Sequence, residues 1–313
     1  MFAYSWIVRQ EIVPSTLDVG SVHISYDLVV DLDLEDPIGR QMMSGEWKLS
    51  GALMWLLSIL EPGDTVLDLG AHFGTFAIPA AMLGARVIAV EGSSSNADVL
   101  QSACQRNRLS NIEVIEAVID SHVGDVEFAD LGPYGTISTP QINPDHGYRT
   151  RPCVATTVDD LSGGPFTWAK IDIEGKEQAA LAGAPRSLRD LRGMVIESNG
   201  YMLRNHGTTP QQMVNALTAA GMTLYEVGSL YLRHLPRPFV QPETIVDFAA
   251  VKGRPLIPHG WRLSPARSRK EVLDALLTEA QHPIAEHRDH AERSIAELSP
   301  RVARQLQRIK ARV

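Results

Sequence analysis

The 313-residue chain contains only two cysteines, Cys104 and Cys153. That excludes a disulfide framework, and the absence of a CxxC pair or a Cys/His cluster removes the usual signature of structural zinc. Aromatic residues make up only 6% of the chain, and no apolar run reaches the roughly 18–20 residues that span a bilayer. Positive charge is in deficit, with 29 Lys and Arg against 37 Asp and Glu for a net charge of −8. That balance disfavours a protein built to grip a nucleic acid backbone. The N-terminus lacks the basic start and apolar core of a signal peptide, because Arg9 and Glu11 interrupt it. Together these absences predict a soluble protein of a reducing compartment. It is expected to be cytoplasmic, without stable membrane insertion and without a nucleic acid partner.

What is present is an ordinary globular composition, 44% apolar and 21% charged. The length fits one large α/β domain with appendages, or two domains. Residues 1–45 alternate short apolar and polar stretches and predict strands or a capping segment. Residues 46–60 carry a broad apolar helical face ended by Pro62-Gly63. A strand–helix rhythm follows, with strands at 65–69, 86–90 and 112–116 and helices at 75–83 and 96–107. It breaks over 121–150, "ADLGPYGTISTPQINPDHGY" and its flanks, which read as an irregular excursion, either a mobile lid or a passive insertion. It resumes with strands at 166–173, 194–198, 223–227 and 244–251 and helices at 175–191, with Pro185 as a point of breakage, and 210–220. Such alternation predicts a mostly parallel sheet covered on both faces, with its ligand at the carboxyl ends of the strands. Residues 268–313 are charged and helical, and five basic residues without an acid fall in the last thirteen. A helix packed on the domain with a solvated basic face is one reading, and a homodimer contact through that helix is the other. The expected division is 1–45, 46–255 and 256–313.

"VLDLGAHFGT", residues 66–75, is the chemical centre of this pattern. An apolar strand ends in Asp68, and Gly70 and Gly74 follow with Ala71 and His72 between them. Gly70 lets the backbone turn sharply and approach a ligand; at Gly74 a side chain would crowd either ligand or strand. A dinucleotide fingerprint would read G-x-G-x-x-G, whereas here the spacing differs and an acid precedes the turn. A carboxylate suits a cationic ligand better than a diphosphate, and S-adenosyl-L-methionine carries a sulfonium and an ammonium. The next strand ends in Glu91-Gly92, where a carboxylate can accept from both ribose hydroxyls. The third ends near Asp120, the neighbourhood for adenine contacts. In "WAKIDIEGKE", residues 168–177, strand alternation puts Lys170, Asp172 and Glu174 on one side. Glu174 has a second reading, as the cap of a helix starting at Gly175. His72 either braces the turn or faces the pocket.

"VLDLGAHFGTFAIPAA", "VIAVEGSSSNADVLQSACQRN", "ATTVDDL", "AKIDIEGKEQAALAGA" and "VIESNG", in this order, resemble the FkbM-type S-adenosylmethionine-dependent methyltransferases over residues 40–230. The resemblance implies a class I methyltransferase (Rossmann-like) fold and O-methylation of a hydroxyl on a sugar, glycan or natural product. By motif position it assigns Asp68, Gly70 and Gly74 to the methionine end of the cofactor, Glu91 to the ribose, and Asp172 and Glu174 to the reaction edge. Family members often carry Asn where this chain has His72. An acceptor hydroxyl is a poor nucleophile at neutral pH, so a general base is expected; Asp172, His146 and His206 are the candidates, with both histidines overhanging the pocket. No metal ligand set is assigned, and a divalent-metal route through Asp172 and Glu174 ranks second for want of a third ligand. A nicotinamide-dependent oxidoreductase and a non-catalytic binding module on the same fold remain alternatives.

Overall fold

The computed structural model describes residues 10–31, 36–130, 134–140, 149–236, 245–281 and 285–310. The N-terminal segment is an antiparallel hairpin of β1 (Gln10–Val19) and β2 (Val22–Asp31). One face of β2 carries Ile24, Tyr26 and Leu28 into the core. The helix expected over 46–60 is shorter, 51–59, and a further helix precedes it where strands or a cap were expected. α1 (Pro37–Ser44) starts at the N-cap Asp36 and ends on the left-handed Gly45, and α2 (Gly51–Ile59) starts anew at the N-cap Ser50. The cap at Ser50 overrules the apolar periodicity that begins at Trp47.

The central sheet follows. β3 (Thr65–Leu69), α3 (Ala77–Met82), β4 (Arg86–Glu91), α4 (Ser94–Arg106) and β5 (Ile112–Glu116) reproduce the expected rhythm within a residue or two. The stretch expected to be irregular is instead largely a second sheet. β6 (Val118–Ile119), β7 (Gly124–Asp130), β8 (Thr136–Ile137) and β9 (Arg149–Thr156) are ordered β6-β9-β7-β8. Its glycines and prolines obscured short strands whose partners lie far apart in sequence, as Val126 pairs with Cys153. β10 (Trp168–Ile171) then re-enters the main sheet, and α5 (Glu177–Ala182) and α6 (Ser187–Asp190) replace one long helix across Pro185. β11 (Gly193–Ser198), α7 (Gly200–Asn205), α8 (Pro210–Ala219), β12 (Met222–Gly228), β13 (Tyr231–His234), β14 (Val246–Lys252) and β15 (Arg262–Ser264) complete it.

The nine-stranded order is β15-β13-β12-β14-β11-β10-β3-β4-β5. β5, β4, β3, β10 and β11 run parallel, while β14 is antiparallel to both β11 and β12. Alternate residues feed opposite cores: Val66, Val87, Trp168 and Val195 on one face, Leu67, Ile88, Ala169 and Ile196 on the other. Strands buried on both faces read as continuous apolar runs for this reason. The order reverses at β3/β10, so their carboxyl ends open a crevice at the switch point. The described residues of 269–310 form three helices rather than one, α9 (Arg269–Glu279), α10 (Ala285–Leu298) and α11 (Pro300–Lys310). They bury Val272, Leu276, Ala291 and Ile295 in a core of their own. Among the described residues, no helix is long and apolar enough to cross a membrane.

Candidate active site

A cavity of about 300 Å³ lies at the carboxyl ends of β3, β4, β10 and β11. The glycine turn forms one side. The Gly70 and Ala71 amides donate to Val90 O at 2.9 and 3.1 Å, which bends the chain off β3. Gly70 sits at φ 74°, and a Cβ there would stand 1.8 Å from the Asp172 carbonyl oxygen. The glycine is demanded first by the neighbouring strand's continuation. Gly74, at φ 84°, is required by packing, since a Cβ would strike Leu100 and Ile78 at 2.4 and 2.9 Å. That crowding comes from helices rather than from a strand. Glu91 closes the turn. Its carboxylate accepts from His72 N at 2.8 Å and Ser93 N at 2.9 Å, while burial pushes the carboxyl up against these two donors.

The opposite side is acidic, and sheet register explains it. Asp68 and Lys170 pair across β3/β10, Lys170 and Val195 across β10/β11, and Val195 and Ala249 across β11/β14. Two residues further along this same-face row come Gly70, Asp172, Glu197 and Asp247, and all four line the cavity. Lys170 bonds Leu69 O and Gly70 O and lies 3.3 Å from Asp68 and 3.5 Å from Asp172. Burial would pull the ammonium down, but the flanking carboxylates outweigh it and hold it above its ordinary value. Ser50 Oγ donates to Asp247 at 2.5 Å. Asp172, Glu174 and Glu197 bring carboxylate oxygens within 4.8 Å of one another, close enough for a single cation to bridge. Burial first, then the neighbouring acids, push Glu174 up to about 8 and Glu197 up to about 10. Glu197 is the third carboxylate that sequence reading missed. Its signal, the "IES" ending the next strand, becomes legible only once β10 and β11 are known to be neighbours.

Glu174 reaches the cavity by a different route from the one expected. The strand stops at Ile171, and Glu174 turns in through a left-handed backbone, φ 52°, ahead of Gly175 at φ 98°. It does not cap the next helix. α5 begins at Glu177, and Glu177 staples the turn instead, one oxygen accepting from Ile173 N and Gly175 N at 3.0 and 3.1 Å. Thr136 Oγ1 donates to Glu174 O at 2.9 Å and contacts His206 Nε2 at 3.0 Å. The carbonyl takes the threonine proton, so Nε2 is the donor to the hydroxyl. Burial holds His206 down at about 4. His206 is therefore a neutral clasp and does not overhang the cavity as expected of a base. His146 lies outside the described residues.

Of the other expected residues, Gly70, His72, Glu91, Gly92, Asp172 and Glu174 line the cavity. Asp68 is fully buried behind Lys170, Ala71 and Gly74 lie within the turn, and Asp120 is engaged elsewhere. Asp120 binds Lys176 at 2.7 Å; burial would raise its carboxyl, but the Lys176 and Ser121 hydrogen bonds bring it below its ordinary value. The small sheet supplies another wall through Phe128 and Ile137, joined by Tyr134 just ahead of β8. Phe128 packs so closely on Gly92 that a Cβ there would lie 2.8 Å from its ring.

The strand order with its antiparallel β14, and the cavity at the switch point, define a class I methyltransferase (Rossmann-like) fold. The model of the methyltransferase FkbM domain matches residues 68–224, half of the chain, and the chain belongs to that family. A curated relative, the 23S rRNA (uracil(1939)-C(5))-methyltransferase RlmD of Halomonas elongata, is 37% identical over 86 residues, which cover 26% of this chain and 18% of that protein. Among solved structures, a methyltransferase FkbM from Methylobacillus flagellatus KT superposes with a TM-score of 0.45 at 18% identity, over 68% of this chain and 52% of that one. A TehB-like SAM-dependent methyltransferase from Corynebacterium glutamicum gives 0.42 at 14% identity, over 68% and 94%. The chain thus spans about half the length of the FkbM structure.

Proposed function

We propose that this protein is an S-adenosyl-L-methionine-dependent O-methyltransferase acting on a hydroxyl of a sugar, glycan or other small natural product. The observation that carries the reading is one cavity with two unlike ends. Glu91 and the glycine turn lie at one end, and the Asp172, Glu174, Glu197 and Asp247 carboxylates at the other. The donor fits this chemistry. Glu91 stands where a carboxylate accepts ribose hydroxyls, Val90, Gly92 and Ile119 offer an apolar wall for a base, and the acidic end favours a ligand carrying positive charge. When bound, the donor supplies an already activated methyl group, so the chain's task is alignment and proton management. Asp172 lies at the reaction edge and is the group best placed to orient an acceptor hydroxyl and take its proton. The chain's net charge of −8 favours an uncharged or cationic small acceptor over RNA. We further propose a cytoplasmic location, since a chain with two cysteines suits a reducing compartment.

The test has two stages. Isothermal titration with S-adenosylhomocysteine is expected to show saturable binding, with none for NADH. Mass spectrometry of metabolites and glycans from cells with and without the protein is then expected to show a species gaining one methyl. NADH binding in place of S-adenosylhomocysteine would move the assignment to an oxidoreductase. Donor binding with no methylated species across a broad acceptor set would point to a binding module.

A further inference from the structure

The family match begins at residue 68, yet one wall of the cavity comes from before it, through Ile38, Trp47, Lys48, Ser50 and Leu53. Asp36 ties that wall to the glycine turn. One of its carboxylate oxygens caps α1, accepting from Ile38 N at 2.7 Å and Gly39 N at 3.0 Å. The other binds His72 Nε2 at 2.7 Å, and the two side chains are 1% and 12% exposed. His72 needs such support. It holds φ 50°, a conformation that costs a non-glycine residue roughly 1 kcal/mol or more and persists only where its surroundings over-determine it. Its amide is used by Glu91, and its ring stacks on the fully buried Phe73, with centroids 3.8 Å apart. α1 is pressed onto the same place, since a Cβ on Gly39 would meet Val30 at 2.4 Å and Phe73 at 3.5 Å. Burial alone would raise the Asp36 carboxyl; the His72 ring and the two amides outweigh it and hold it below its ordinary value.

We infer that Asp36 and His72 form a latch that fastens residues 36–53 onto the glycine turn as a wall of the donor pocket, making Asp36 a positioning residue for donor binding. The inference rests on reading this cavity as the donor site. It assigns His72 a use on both sides, its amide ordering the Glu91 carboxylate and its ring holding the wall. A pocket ordered in advance binds its ligand without the cost of ordering it on arrival.

The test is a double-mutant cycle on the full chain, read as S-adenosylhomocysteine affinity by calorimetry, with melting of the ligand-free protein alongside. Asp36→Ser keeps a capping oxygen for α1 but removes the reach to His72. His72→Asn keeps a residue that tolerates the left-handed turn but removes the ring. Each single change is expected to weaken binding about tenfold, and the double variant to be no weaker than either single one, because all three lose the same contact. Asp36→Asn keeps both the cap and a partner for the ring and is expected to restore most of the affinity. Singles that bind like the parent, or losses that multiply in the double, overturn the latch. Hydrogen exchange of the ligand-free protein is a separate readout, and His72→Asn is expected to speed exchange at Ile38 and Gly39. If the parent binds no S-adenosylhomocysteine, the donor reading falls. Unchanged exchange with donor binding intact removes the latch alone.

Discussion

The two ends of the cavity handle buried carboxylates in opposite ways. At the glycine turn, Glu91 has each oxygen matched to a backbone amide, His72 N on one and Ser93 N on the other. At the β10–β11–β14 end, Glu174 and Glu197 stand among acids, and Glu197 Oε2 is buried without a hydrogen bond. The first arrangement is what a finished structural element looks like. The second stores free energy that a ligand with positive charge or a proton releases. A site that binds and then transforms needs both, a rigid end that holds and a frustrated end that responds.

The sharpest way to break this comparison is to separate the ends where they touch. Gly70→Ala would drive a Cβ into the Asp172 carbonyl and is expected to cost about 3–5 kcal/mol of stability, read as the urea midpoint. A change below about 1 kcal/mol would show that the two ends are not in rigid contact. Glu91→Ala comes next. It removes the proposed acceptor of the ribose hydroxyls, and at about 1.5–3 kcal/mol for a hydrogen bond to a charged group S-adenosylhomocysteine affinity should fall about 100-fold; retained affinity would remove Glu91 from the donor site.

Glu197→Gln should act with the opposite sign. The folded carboxyl is pushed up to about 10, while the unfolded one titrates near 4.3. Between these values the folded state binds more protons, so the stability present below the lower value is lost as pH rises through the upper one. The amide does not titrate. The variant is therefore expected to be more stable than the parent by about 1–2 kcal/mol at pH 8 and equal to it near pH 4, in denaturation curves across pH. A destabilised variant at pH 8 would mean the carboxylate is already matched. The smallest effect is expected at the clasp joining the small sheet to Glu174. Thr136→Val should lower stability by about 1 kcal/mol and Thr136→Ser should not; equal melting of all three proteins would leave the hydroxyl without a role.

The glycine-turn end was legible because its parts are local. Asp68, Gly70 and His72 lie within five residues, and Glu91 ends the very next strand. The acidic end was half legible. "KIDIEG" flagged Asp172 and Glu174, but strand alternation predicted Glu174 for the wrong reason, since the strand ends at Ile171 and a left-handed turn carries the side chain in. Glu197 and Asp247 could not be seen, because register between strands 25 to 58 residues apart is not written in any local pattern. The small sheet was read as irregular for the same reason. His206 has the residue type of a base, but its Nε2 is engaged by Thr136.

The sequence by itself determined the strand–helix order of β3 to β5, the glycine turn and the family, because apolar periodicity and backbone freedom act over a few residues. Only the tertiary structure decided that three strands bring their acids to one edge, that Gly70 yields to a carbonyl a hundred residues away, and that Asp36 reaches His72. Those are matters of strand register and close packing, and both arise only when distant segments meet.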